Sequence, residues 1–488
     1  MIGSSQFGNK NETYRGIVKA LADSYYTLGD FSNSTVNYLD LERAHKEDRA
    51  VSSAEFADVL MCIGRSYEGE KKPAKAVEYY QASIALREKL QATDSPNYFE
   101  TQRQLGGILM RAKKFSEAEP IYQSVLAKAK KTYKPTSLDY LNVLEEVGDL
   151  QYAQRKYTEG IAFFTEYQKN AVLAKMNPQD YVDIYQKIAE GYIRLKDVDN
   201  TVKSLTAYIN QLEKYNKDGN FLNEINQAVG LFKSMGKYEE AVGMLNRKLT
   251  LQQAATGEQS KEVGDALSEL GETYQTMKNY PKAEEFFNRS LVAQKASSGE
   301  GSDQYAEVLD KIGHLRLQMG KPDEAEKRYL EAQAIRRKHL GPENPAFALG
   351  LDSLAIFYMG QSKLVEADTL LKESLKVKKE KLPKDHGSIG KTIGLMADLK
   401  VAEGKPEAAD PLLKEENRII GMYYGRVSKE MAHSYKRMGD LLKLQEKYVD
   451  AVKLYRQSLT TYEGASMANT PQATEVQALI KECTEAMK

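Results

Sequence analysis

At 488 residues the chain is long enough for several globular domains. Its 69 basic residues balance 69 acidic ones, which removes the overall positive charge that nucleic-acid binding relies on. No uninterrupted apolar run is long enough for a membrane-spanning helix, and none is expected.

The chain opens on MIGSSQFGNKNE, a polar stretch without the apolar core of a secretory signal. Residues 1–13 are expected to be disordered, and a cytoplasmic location is the default expectation. The two cysteines, Cys62 and Cys483, lie near opposite ends and have no metal-ligand company, so neither a disulfide nor a metal site is expected.

From residue 14 onward the sequence repeats. An aromatic, proline or aliphatic anchor before a short charged stretch falls at Phe31, Pro73, Phe115, Tyr157, Val198 and Tyr238. It continues at Tyr280, Pro322, Leu364, Pro406 and Tyr448. The spacing is 42 residues except for steps of 41 and 40 on either side of Val198. Nine residues before the anchor stands a small residue, such as Gly64, Gly106, Gly148, Gly271, Gly313 or Gly439. Seven after it stands a large one, such as Tyr80, Tyr122, Phe164, Phe287, Tyr329 or Tyr455. Between them apolar residues recur at three and four, the period of a helix with one buried face. Two antiparallel helices approach closely only where side chains are small, with aromatics filling the wedge beside the crossing.

Boundary signals agree. Pro281, Pro322 and Pro406 open second helices, where a missing N–H costs nothing. Ser95-Pro96, Asn177-Pro178, Asn344-Pro345 and Thr470-Pro471 read as an N-cap followed by proline at first helices. No alternating strand pattern competes. The expected fold is all-α, a right-handed superhelical solenoid of about eleven helical hairpins over 14–465. A C-terminal capping helix is expected within 466–488. Over 178–255 the register slips, Thr201 and Val229 replace small residues, and Lys248 occupies a small site. A soft joint is expected there, around the polar connector Tyr215–Asn220.

This constellation of small residues and aromatics resembles the tetratricopeptide repeat, and its 42-residue period resembles the kinesin light chain class. The stretch Ala325–His386, with its Arg-Lys-His-Leu-Gly-Pro-Glu-Asn-Pro connector, carries the likeness most fully. The asparagine that such repeats place two residues before the small position is replaced here, for example by Cys62, Gln104, Glu146 and Ser353. The resemblance implies a non-catalytic scaffold or adaptor that binds a peptide or partner protein in its concave groove. A regulatory or sensor subunit for a separate catalytic partner is the alternative it allows.

The residues hold no catalytic signature. His45, His314, His339, His386 and His433 have no His or Cys three or four residues away. Gly230-Leu-Phe-Lys-Ser-Met-Gly236-Lys237 lacks the spacing and hydroxyl residue of a phosphate loop. No catalytic residue, metal or cofactor is expected.

Positions −6, −3, +1 and +4 from the small residue share one face of each first helix, and the resemblance assigns that face to the groove. It carries Arg65 and Arg103 early in the chain. Later it carries Asp265, Glu272 and Gln275, then Glu307, Asp310, His314 and Leu317. Asp352 and Met359, Asp398 and Val401, and Asp440 complete it, with Lys391, Lys436 and Lys443 interspersed near the end. An acidic groove with apolar points suits a partner segment containing Lys or Arg, held by an array of contacts rather than by any single pair.

Overall fold

The computed structural model describes residues 12–47, 52–215, 221–465, 467 and 470–487. Among these there are twenty-three α-helices and no strand, and the chain divides into two compact units, Met1–Tyr215 and Asn216–Lys488.

The first unit holds five hairpins: α1 (Glu12–Thr27) with α2 (Phe31–Glu47), α3 (Ala54–Gly69) with α4 (Pro73–Lys89), and α5 (Pro96–Arg111) with α6 (Phe115–Thr132). Then come α7 (Leu138–Ala153) with α8 (Tyr157–Leu173), and α9 (Val182–Leu195) with α10 (Val198–Tyr215). The second unit holds six: α11 (Leu222–Ser234) with α12 (Tyr238–Thr256), α13 (Lys261–Thr276) with α14 (Tyr280–Ser298), and α15 (Asp303–Gln318) with α16 (Pro322–His339). Next are α17 (Pro345–Gly360) with α18 (Leu364–Lys381), α19 (Gly387–Ala402) with α20 (Pro406–Tyr424), and α21 (Lys429–Leu444) with α22 (Tyr448–Gly464). A last helix, α23 (Pro471–Ala486), packs on α22 and covers its apolar face with Ala473, Val476 and Cys483. Odd-numbered helices are first helices and even-numbered ones second.

The crossings form as the spacing implies. A Cβ on Gly64, Gly148, Gly271 or Gly439 would sit 2.6 Å from the ring of Tyr80, Phe164, Phe287 or Tyr455 respectively. Serines ten residues past the anchor add a tether. Ser83, Ser290, Ser374 and Ser458 donate to the carbonyls of Ala57, Gly264, Ala348 and Ala432 at 2.7–2.8 Å, which fixes each second helix along its first. Every turn between the two helices of a hairpin uses a left-handed residue two before the anchor. Gly29, Gly236, Gly320 and Gly404 take it without strain, whereas Lys71, Lys113, Arg155, Lys196, Lys278, Ser362 and Glu446 take it at φ of 57–62°.

Two boundaries differ from expectation. Residues 1–11 lie outside the described residues, and the first helix begins at Glu12, inside the segment expected to be disordered. Ser95, Asn344 and Thr470 cap α5, α17 and α23, but Asn177 caps a short 3-10 turn, Pro178–Tyr181. The asparagine and proline therefore start a tighter turn, and α9 begins only at Val182. The connector at 216–220 lies outside the described residues. Within the second unit, the two bases Lys233 and Lys248 both reach Glu269 at 3.0 Å, so the outsized residue at 248 is held by a carboxylate of the next first helix.

Candidate functional site: the first-helix face of the second unit

In the second unit the helices α13, α15, α17 and α19 touch in succession, and their shared face is indented. A cavity of about 670 Å³ lies between α13, α15 and α17, backed by Tyr329 and Arg336 of α16. Five residues of the expected stripe line it: Glu272, Gln275, Glu307, Asp310 and His314. The side-chain amide of Gln275 lies 3.1 Å from His314 Nδ1 and 3.0 Å from Gln318 Oε1, which ties α13 to α15. Lys311 Nζ sits between Glu272 at 2.7 Å and Glu307 at 3.1 Å. Asp310 is closed off by Arg336, whose Nη1 donates to Oδ2 at 2.6 Å while Nε reaches Asp303 at the same distance. Burial pushes the Asp310 carboxyl up to about 6, against the opposing pull of Arg336.

Four carboxylates of this cavity, Glu272, Asp303, Glu307 and Asp310, face only two bases, Lys311 and Arg336. A contiguous cavity of about 360 Å³ continues the acidic surface with Asp265 and Glu269, where Asp265 accepts from the Gln294 amide at 2.7 Å. Glu272, Glu307 and Asp265 are exposed, so their field reaches solvent.

The remaining stripe residues are placed differently. Leu317, Met359 and Val401 pack against the apolar clusters that hold Tyr329 and Phe357, Ala367 and Leu371, and Ala397 and Leu413, so these three +4 residues serve the core, whereas Gln275 at the same position lines the cavity. Asp352 is buried against Lys378 and accepts from Thr392 Oγ1 at 2.8 Å. Asp398 faces Arg437 at 3.3 Å, and Asp440 accepts from Tyr455 Oη at 2.8 Å and pairs with Lys436. In the first unit, Arg103 Nε lies 3.0–3.1 Å from both Glu146 oxygens, and the Arg65 guanidinium lies 5.2 Å above the Tyr26 ring.

Two residues of this face were passed over in the sequence. Leu349 and Ile356, at −6 and +1 of the ninth repeat, are each 51% exposed and form the α17 wall of the large cavity. Their signal lay in the stripe itself: apolar side chains stand where neighbouring repeats carry Glu272, Glu307 or Asp398. The buried bases Arg87, Arg336 and Lys378 were also missed. Each stands fourteen residues past its anchor and reaches across its own hairpin to a carboxylate, Asp58, Asp310 or Asp352.

Among the described residues no helix is long and apolar enough to cross a membrane. No curated protein matches the chain. Among solved structures, the repeats of a putative kinesin light chain from Podosopora anserina are 20% identical. They cover 42% of this chain and 96% of that one at a TM-score of 0.34. The apo quorum sensor NprR from B. thuringiensis is 14% identical, with 85% and 99% covered and a TM-score of 0.35. Apo RapI is 12% identical, with 80% and 98% covered and a TM-score of 0.38. At scores this low none of the three informs function. The tetratricopeptide repeat family matches at residues 222–293 and 262–338, which span α11 to α16. Residues 222–338 are thus tetratricopeptide repeats, and the same hairpin recurs in a 42-residue register on both sides of them.

Proposed function

We propose that this protein is a non-catalytic adaptor that binds a peptide or partner protein on the first-helix face of its second unit. The observation that carries the reading is the exposed pair Leu349 and Ile356, seven residues apart on one helix, bordering a cavity with an excess of carboxylates. Exposed aliphatic side chains in a concave polar setting supply an anchor that excludes water. The exposed carboxylates Asp265, Glu272 and Glu307 supply orientation and steering for a segment containing Lys or Arg. Such a segment would lie across α13, α15 and α17, with an apolar side chain on Leu349 and Ile356 and a basic one over Glu272 and Glu307.

The test is affinity capture of partners with the full chain, followed by titration of the purified partner against Leu349→Asp and Ile356→Asp. Both residues are half exposed, so folding should be retained while affinity falls by about tenfold or more. Unchanged affinity in both variants would remove this face from the account.

A further inference from the structure

A second cavity, of about 430 Å³, lies between α17, α19, α20 and α21. Four aliphatic side chains line it, Leu349, Ile356, Leu395 and Ile420, together with His433 and the charged Lys391, Lys429, Glu430 and Arg437. Deeper in, Asp352 and Glu416 are only 7% and 3% exposed, and each keeps one carboxylate oxygen without a donor, Oδ1 and Oε2. The other oxygens are taken. Asp352 Oδ2 is held by Lys378 and Thr392, and Glu416 Oε1 accepts from Arg437 Nη1 at 2.7 Å. Arg437 also faces Asp398, so one guanidinium serves two carboxylates. Gly394 makes that approach possible, since a Cβ there would collide with the Arg437 guanidinium and the Glu416 carboxyl. At the mouth, Lys391 is drawn to Glu430 at 3.3 Å and to the Tyr424 ring, while the exposed Lys429 begins α21.

A buried carboxylate oxygen with no donor, and two carboxylates sharing one guanidinium, both cost free energy that a cationic donor recovers. Aliphatic walls above such a floor match a long apolar stem with a charged tip. A compact ammonium, which presents donors in three directions, suits oxygens that do not lie in one planar fork.

We propose that this cavity is a slot for a lysine side chain of the bound partner, its stem against Leu349, Ile356, Leu395 and Ile420 and its ammonium on Glu416. The proposal rests on the groove reading above for the partner being a polypeptide. The chemistry of the slot can be tested without that partner.

The full chain, labelled at isoleucine δ1-methyls, would be titrated with N-acetyl-lysine methylamide and, separately, with the norleucine analogue, which keeps the stem and lacks the ammonium. The lysine probe should shift the Ile356 and Ile420 signals saturably and bind about tenfold tighter than the norleucine probe. Glu416→Gln should erase that preference. Ile356→Lys, a change at an exposed position, should block the slot and serves if Glu416→Gln fails to fold. Equal binding of the two probes, a preference that survives Glu416→Gln, or methyl signals unmoved at saturation would overturn the proposal. If the lysine probe binds as expected while Leu349→Asp and Ile356→Asp leave partner affinity intact, the groove reading and the slot's use by a partner both fall; if the two probes bind equally while those variants weaken the partner, the slot falls and the groove reading stands.

Discussion

Arg336, rooted on α16, reaches across its hairpin to place Nη1 2.6 Å from Asp310 on α15. A carboxylate that reads as groove charge in the sequence is thereby part of the hairpin's own interior, and Lys378 does the same to Asp352. The charge left for a partner sits on Asp265, Glu272 and Glu307, which stay exposed.

That division gives the first prediction. Glu272→Gln with Glu307→Gln should slow association with a basic partner, more at low salt than at high, and change stability by no more than about 1 kcal/mol. Asp310→Lys should instead unfold or destabilise the second unit by about 3–5 kcal/mol, because it buries Arg336 against a like charge. Stopped-flow binding and thermal melts of the three proteins separate the two outcomes.

Turn and helix glycines give a second prediction with both signs. Lys278 holds φ at 60° in a turn where Gly236 and Gly320 do so in neighbouring repeats. Lys278→Gly should therefore stabilise the chain by about 1 kcal/mol. Gly243, inside α12 with open space where its Cβ would be, should gain about 0.5–1 kcal/mol on replacement by alanine. Gly271→Ala should cost about 1–3 kcal/mol, since its Cβ would press on the buried Phe287 ring. Denaturant titration at constant m-value checks all three.

Glu416 supplies a pH signature. Burial raises its carboxyl from 4.5 to about 7, against the pull of Arg437. The folded state thus holds a proton that the unfolded chain has already lost, and stability contributed by this residue falls as pH rises from 4.5 to 7. Relative to Glu416→Gln, the unmodified chain should lose on the order of 3 kcal/mol between pH 4.5 and pH 8. A parallel pH dependence of the two proteins would contradict this assignment.

We infer that helices α10 and α11 each open more readily than the helices of the regular repeats. Helix α10 buries only Thr201, Tyr208 and Ile209, whereas α14 buries six residues, and the Thr201 hydroxyl is buried without a partner. Few buried contacts mark the low-stability end of a stacked array. Amide hydrogen exchange should show less protection in α10 and α11 than in α13 to α18. Equal protection would mean the irregular hairpins are as tightly held as the rest.

The hairpins were legible because helix packing repeats its own demands. A glycine that must lie under an aromatic ring, as Gly64 lies under Tyr80, recurs at a fixed distance and announces the crossing. The turns were less legible, since Lys71 or Glu446 in a left-handed conformation looks in the sequence like any surface residue. The groove face was readable as a stripe but not as a set of free charges. Whether Asp310 meets solvent depends on Arg336, a base of the second helix 26 residues on, and only the folded hairpin brings the two together. Leu349 and Ile356 stood out in the stripe as apolar residues among charged ones, yet their exposure was not readable. Exposed and buried aliphatic residues look alike until neighbouring helices are in place.

The central claim, that a partner seats on the first-helix face at α17, is tested most directly by a photo-crosslinking residue at Ile356, with the same residue at Val365 on α18 for comparison. Both positions are exposed, at 51% and 79%. The account expects a discrete crosslinked partner from Ile356 that disappears when Leu349→Asp is added, and none from Val365. The same partner captured equally from both positions, or only from Val365, would contradict it.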